Sequence, residues 1–550
     1  MRIGYEAGGE GKKALWQGAA LLGGAALLTK LIGTLQKIPL QNLAGDEAFG
    51  LYTAVYALAV MWMTLASAGI PAAVSALVAE KTAKGDEEGA ARVLRWAGGL
   101  LGLLGLAAFL VLWLGAGTFA RWMGLEEAAP AIRMSSLALL FSPVTAVLRG
   151  DRQGRMQMVG PAVSQLIEQL ARVIFMLVAL AIALSGAWSA SATAAAVHGG
   201  LAAGAIAGLL AMARFSAREA RRDKPVPDRA VRFPEPRIAL VGRIARVAFP
   251  VAAASIVAPL FGLIDAFSIP RLLDRDGTWA LAQFGVYSRG IALLQLVVLG
   301  AAGAAAALVP ALTAARARGN EKELASRALF ALRLAWWFGC AAAVGLALLA
   351  APINTALFGD DNGSAAMALV GLAAAGGTLQ AVSAALLQGL GELRAPAVNL
   401  AASALLKLSL NVALVPQHGI EGAAAAMAIA YAVAAILNAL SLRQRVPLPA
   451  PRAQLAWRSA AALAAMAAAV APLALGRGGL IAAGLPARAA ALLVALPGVV
   501  LGAAVFAAAL VALGAVAPRE WREVPGLSGT RLDRWLLRIR TLTHRDNQEG

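Results

Sequence analysis

The chain has 550 residues, of which 60% are apolar and only 14% charged, with a mean hydropathy of +0.72. Soluble domains carry about a quarter charged residues, so the composition excludes an ordinary soluble enzyme and implies a polytopic membrane protein. The formal net charge of +18 would suggest nucleic acid in a soluble chain, but the distribution of the charges gives it another cause.

In chain order, residues 1–13 read as a cytoplasmic N-terminus. No cleavable signal is expected, because the first apolar run continues into a full span without a small-residue cleavage site. Apolar runs of about 20 residues predict about fourteen spans. They centre near residues 25, 65, 103, 140, 173, 203, 252, 298, 338, 377, 406, 431, 466 and 501. The expected division is an N-lobe over 14–214, a basic cytoplasmic linker over 215–237 and a C-lobe over 238–442. Two further spans over 443–515 and a basic tail over 516–550 follow. Within the tail, RLDRWLLRIRTL at 531–542 reads as an interfacial helix with Trp535, Leu536 and Ile539 on one side.

Lysine and arginine gather in alternate loops. Lys81, Lys84, Arg92 and Arg95 follow the second span, Arg149, Arg152 and Arg155 the fourth, and Arg316, Arg318 and Lys322 the eighth. Positive charge stays on the cytoplasmic side during insertion, so both termini are expected there. Topology thus accounts for the charge, and no nucleic-acid partner is expected.

Five basic residues fall inside spans: Lys30, Arg172, Arg289, Arg333 and Lys407. A charge at mid-bilayer costs roughly 2.5–3.5 kcal/mol or more unless it faces water, a partner or a ligand. Lys37 and Arg333 sit near span ends, where snorkelling to the headgroups competes with a functional role. Lys30 and Arg289, and Lys407 with no acid one turn away, read as cavity cations. Asp265 is a natural partner for Lys30 or Arg289, with partner exchange as a gate. Glu168 and Arg172 stand i, i+4 and are expected to pair on one helix face.

An internal repeat organises these positions. Phe49-Gly50-Leu51-Tyr52 recurs as Phe284-Gly285-Val286-Tyr287, 235 residues on. Gln153-Gly154 recurs as Gln388-Gly389, and Pro161-Ala162-Val163 as Pro396-Ala397-Val398, at the same offset of 235. Lys84-Gly85 recurs as Arg318-Gly319, and Arg172 corresponds to Lys407. Each repeat holds an even number of spans, so both insert the same way up. The expected fold is all-α, with two six-helix lobes related by a parallel repeat and two added C-terminal helices. Such lobes are the architecture of alternating access.

The stretches TKLIGTLQKIPLQNLAGDEAFGLY, ASAGIPAAVSALVAE, RGDRQGRMQMVGPAVSQLIEQLAR and YSRGIALLQLVVLGAAGAAAALVPALTAARARGNEKEL resemble the polysaccharide-transporter branch of the MOP flippases. The group most similar is SpoVB/YtgP, related to the MurJ-like lipid II flippases, and the resemblance covers residues 14 to about 515. It implies that Lys30 and Arg289 stand at cavity-arginine positions. It also implies that the last two spans form a groove for a lipid tail. The chain departs from the pattern at Gln36, Met63 and Thr64, where basic residues are expected.

The leading reading is therefore a flippase for an undecaprenyl-pyrophosphate-linked glycan, above all lipid II. Its partners would be that lipid, membrane lipids and cell-wall synthesis proteins. Alternatives are a flippase for another polysaccharide or spore-cortex precursor, and a MATE-type drug or cation exporter. A remote one is a polyprenyl-sugar glycosyltransferase using Asp46 and Glu47. No ATP, metal or other cofactor is expected. There is no GxxxxGK[ST], and His198, His418 and His544 lack ligand-spaced neighbours. Cys340 reads as core packing.

Overall fold

The computed structural model describes residues 9–67, 69–222, 237–257, 259–273, 277–448 and 453–516. The C-terminal stretch 531–542 and most of the basic linker lie outside them. The regular structure among the described residues is helical throughout. Its first helices are α1 (Gly9–Leu35), α2 (Lys37–Ser67), α3 (Ile70–Ala83), α4 (Glu87–Met123), α5 (Ala129–Ser136) and α6 (Ser142–Gly154). There follow α7 (Val159–Ser185), α8 (Ala190–Arg222), α9 (Arg237–Ile256), α10 (Leu260–Leu272) and α11 (Gly277–Ala317). The last are α12 (Glu321–Leu348), α13 (Ala350–Phe358), α14 (Ser364–Gly389), α15 (Arg394–Arg443), α16 (Ala453–Ala482) and α17 (Ala487–Ala512).

Eleven stretches of the described residues are long and apolar enough to cross a membrane. Two are of double length, Leu21–Ala83 with 63 residues and Arg394–Arg443 with 50. At 1.5 Å per residue, 50 helical residues reach about 75 Å, more than twice the roughly 30 Å hydrocarbon core. Each is broken at glycine: Gly45 (φ 79°) inside α2, Gly69 (φ 77°) before α3 and Gly419 (φ 56°) inside α15. Around residue 252, where a span is expected, lie two shorter helices, α9 and α10, neither of them among the eleven. The chain is a multi-pass membrane protein.

Two compact units divide at Gly285 and Val286, within α11. In the first, α3, α4 and α9 share a core of Ile70, Val74, Val78, Ala97, Leu101, Ile244 and Ala248. Ala73, Ala90, Ala97 and Ala248 in the same core let the helices approach closely, and small side chains gain dispersion that way where lipid gives no hydrophobic drive between helices. Ion pairs tie helix ends together, Arg243 of α9 to Glu80 of α3 at 2.5 Å and Arg155, just after α6, to Glu87 of α4 at 2.8 Å. In the second unit, Trp337, Leu349, Met466, Val470 and Phe506 pack α12, α16 and α17 together. Arg333 and Arg458 donate to the carbonyls of Ala515 and Gly514 at 2.8 and 3.0 Å. These cations serve the negative end of α17, and Arg333 also lies 4.8 Å from the Trp337 ring.

The repeat is visible in local geometry. Gly85 (φ 71°) and Gly319 (φ 68°) both take the left-handed conformation. Asp86 then caps α4 by accepting from Gly89 N at 2.7 Å, and Asn320 caps α12 by accepting from Glu323 N at 3.1 Å. The two Phe-Gly-x-Tyr copies also meet. A methyl group on Gly50 would overlap the Leu281 carbonyl, and one on Gly285 would overlap the Asp46 carbonyl. Each glycine thus faces the carbonyl four residues before the other, the reciprocity of an isologous contact.

Candidate functional site

In the first unit the best-defined polar cluster surrounds Glu168 on α7. Arg149 reaches it from α6, with Nη2 2.7 Å from Oε2, while Arg172 on α7 itself stands at 3.6 Å from Oε1. Arg149 also donates to Ser164 Oγ through Nε and Nη2 at 3.2 and 2.8 Å, and Ser164 donates to Gly208 O at 2.9 Å. The side chains of Arg149 and Glu168 are only 15% and 16% exposed, so this is a partly buried, hydrogen-bonded pair. Two sequence readings change here. Arg149, read as a loop residue, lies within α6, and the tighter partner of Glu168 is Arg149, not Arg172. Nothing local in the sequence marks a partner 19 residues away.

A cavity of about 340 Å³ opens beside this pair, with Ser67, Ser142, Arg149, Gln153, Gln165 and Glu168 in its wall. Met63, at one of the positions where the resemblance leads one to expect arginine, also lines it.

Of the other expected site residues in this unit, Lys30 is exposed on α1, whereas Lys37 is buried. Lys37 Nζ lies 6.0 Å from the centre of the Tyr56 ring, at the outer reach of a cation–π contact. Gln36, the departure from the family pattern, donates through Nε2 to Tyr52 Oη at 3.2 Å. Tyr52 stacks between Tyr56 and His198 with centroids at 5.7 and 4.8 Å. Asp265 is buried on α10.

In the second unit Arg289 is fully enclosed, with no exposed surface. It forks onto Asp360, Nη1 to Oδ1 at 2.8 Å and Nη2 to Oδ2 at 3.1 Å, and Nη1 also reaches Asn354 Oδ1 at 3.2 Å. The Phe358 ring lies 5.4 Å from its guanidinium carbon. Asp360 sits in the turn after α13, where its Oδ1 also accepts from Asn362 N at 2.9 Å. Partial burial raises its pKa, but the bonds from Arg289 and Asn362 outweigh this and hold it below the usual carboxylate value. The adjacent Asp361 takes Arg477 of α16 at 2.9 Å. Arg488 of α17 donates to the Ala356 and Leu357 carbonyls at the end of α13. One short turn thus joins a cation inside a span to the two added C-terminal helices. Sequence reasoning missed Asp360 and Asn354, because Asp360 meets its partner across 71 residues of chain. Lys407 is fully buried on α15, one turn before the equally buried Asn411.

Residues 15–316 match the family described as polysaccharide biosynthesis protein. The chain belongs to this family. It is 31% identical over 526 residues to the uncharacterized membrane protein YabM of Bacillus subtilis, covering 95% of this chain and 97% of the relative. The lipid II flippase MurJ of the same organism is 25% identical over 451 residues, covering 78% and 82%. Its stage V sporulation protein B is 27% identical over 159 residues, covering 28% and 30%. Among solved structures, the lipid II flippase MurJ in an inward closed conformation gives a TM-score of 0.63 at 13% identity, covering 95% of this chain and 98% of that one. An inward-facing multidrug MATE transporter of the MOP superfamily gives 0.57 at 18% identity, covering 76% and 94%. The fold is shared with the MurJ flippase and with MATE transporters of the MOP superfamily.

Proposed function

We propose that the protein is a flippase for a lipid-linked polysaccharide precursor, moving an undecaprenyl-pyrophosphate-linked glycan from the inner to the outer leaflet by alternating access. The glycan we assign is the peptidoglycan precursor lipid II. A precursor of another polysaccharide or of spore cortex fits the same chemistry. The observation that carries the reading is Arg289, a fully enclosed cation in a membrane-spanning helix, in a chain that matches the MurJ fold over 95% of its length.

A pyrophosphate cannot cross bare hydrocarbon, because losing its water without new partners costs far more than binding can supply. Guanidinium and ammonium groups replace that water. Arg289, Lys37 and Lys407 are buried cations suited to this, and Lys30 is the fourth candidate. Asp360 has a side chain 41% exposed, so it holds Arg289 from a position where a stronger anion can replace it. A drug or cation exporter would need an acid available to a cation, whereas Glu168 is already held by two arginines.

The test is complementation in cells depleted of their own lipid II flippase. The wild-type chain should restore growth, and Arg289→Ala and Lys30→Ala should fail to do so at normal membrane levels. Growth of both variants would remove the cavity-cation assignment. Failure of the wild type would remove lipid II as the substrate.

A further inference from the structure

The cavity beside Glu168 differs in chemistry from the cation positions. Its wall carries Ser142, Gln153 and Gln165 as well as the Arg149–Glu168 pair. Ser142 Oγ and Gln165 Oε1 are both buried without a hydrogen-bond partner. Buried polar atoms of this kind are normally satisfied, and leaving one unpaired costs about 1–3 kcal/mol. Gln165 and Glu168 stand two to three turns inside a membrane helix, where polar groups are kept only for use. Met63, Ser67 and Pro71 line the same cavity and flank the break between α2 and α3. A helix that ends within a membrane segment leaves its last carbonyls to find partners outside the helix.

The charges exclude ions. An anion entering the cavity meets the Glu168 carboxylate, and a cation meets the Arg149 guanidinium. These two groups are already matched at 2.7 Å, and Arg149 is further engaged with Ser164. What remains unmatched is neutral: the Ser142 hydroxyl and the Gln165 carboxamide oxygen, with the Gln153 carboxamide beside them in the wall. The complementary ligand is an uncharged ring bearing several hydroxyls, each of which both donates and accepts. A volume of about 340 Å³ falls at the lower end of the range for small-molecule sites, the size class of one sugar ring.

We infer that this cavity is a sugar subsite, in which Gln153, Gln165 and Ser142 hold an uncharged hydroxyl-bearing ring of the lipid-linked glycan. The inference rests on the flippase reading and adds a division of labour to it. Cations take the pyrophosphate, and this cavity reads the first sugar. Arg149 and Glu168 neutralise each other across 2.7 Å and so leave the wall without a net charge.

The test uses the purified full chain in detergent, titrated with undecaprenyl pyrophosphate and with the same lipid bearing one N-acetylhexosamine. The wild type should bind the sugar-bearing lipid roughly tenfold more tightly, the sum of a few neutral hydrogen bonds. In Gln153→Ala/Gln165→Ala the ratio should fall to near one. Ser142→Ala, which removes a single oxygen, should reduce it about two- to fivefold and carries the test if the double variant does not purify. Equal wild-type affinity for the two lipids, as when the orphaned groups hold only water, would overturn the subsite and leave the flippase reading intact. A ratio that survives both substitutions would do the same. Binding of neither lipid would overturn the flippase reading itself.

Discussion

Arg289 and Glu168 show how a single charge is made tolerable inside a span. Each is held by a partner from another helix or turn, and the two differ in exposure. The Asp360 carboxylate that holds Arg289 is 41% exposed, so the pair gains less than a sealed one would. Removing it nonetheless leaves an enclosed guanidinium without its anion, so Asp360→Asn should destabilise the protein by about 1–3 kcal/mol near neutral pH. The folded pKa of Asp360 is depressed, so its contribution is present above the unfolded value near 3.9 and is lost as pH falls through the folded one. Thermal melts in detergent should therefore show a gap between wild type and Asp360→Asn at pH 6 that starts to narrow only below about pH 4 and closes as pH falls through the depressed folded value. For Glu168 the distances rank the partners. Arg149→Ala should lower stability by about 3 kcal/mol, and Arg172→Ala, at the looser 3.6 Å contact, by under about 1 kcal/mol. Equal losses in the two variants would overturn that ranking.

The helices themselves were legible because their signals are local or periodic. Long Ala- and Leu-rich runs give spans, and motifs recurring at an offset of 235 residues show the repeat. The breaks at Gly45, Gly69 and Gly419 were less legible, since glycine is common throughout these spans and only some of it takes a positive φ. Partners such as Arg149 for Glu168, or Asp360 for Arg289, were not legible: each lies on another element, and a single sequence carries no pairing signal. The close approach at Gly50 and Gly285 lies between these cases. The repeated motif was evident, but the contact between its two copies was not. Gly50→Ala would push a methyl group against the Leu281 carbonyl, a clash with backbone that should cost about 1–3 kcal/mol or more. Gly98→Ala on α4 has open space and should be neutral or stabilising by up to about 1 kcal/mol. Because Gly50→Ala and Gly285→Ala strain the same contact, the double variant should depart from additivity. Strict additivity in thermal melts would show that the two copies do not share that contact.

Over the whole molecule, the net charge of +18 and the cations within spans bear on the energy source for transport. In the proposed cycle, a pyrophosphate moving outward carries negative charge away from the negative interior, which is electrically downhill. Each elementary charge gains about 2.3 kcal/mol per 100 mV. The empty carrier returns with Arg289, Lys37 and Lys407 in its spans, and any of these that lack a carboxylate partner in that state is drawn inward by the same field. The Arg149–Glu168 pair contributes no net charge, and Arg172 adds one positive charge beside it. Both half-cycles then run downhill without a nucleotide, provided the pyrophosphate brings more charge than the cations engaged with it. Removing one cation alters that balance in a definite way. A variant such as Lys37→Gln should weaken substrate binding and also change how steeply the rate depends on potential, because the returning carrier has one charge fewer. The measurement is flipping of a labelled lipid-linked glycan in proteoliposomes without ATP, across potentials imposed by potassium gradients. Wild-type rates should rise several-fold as the interior is made about 100 mV more negative, and Lys37→Gln should show a shallower slope. Rates indifferent to potential, or present only with ATP, would overturn the mechanism, and an unchanged slope in Lys37→Gln would remove Lys37 from the charge that moves.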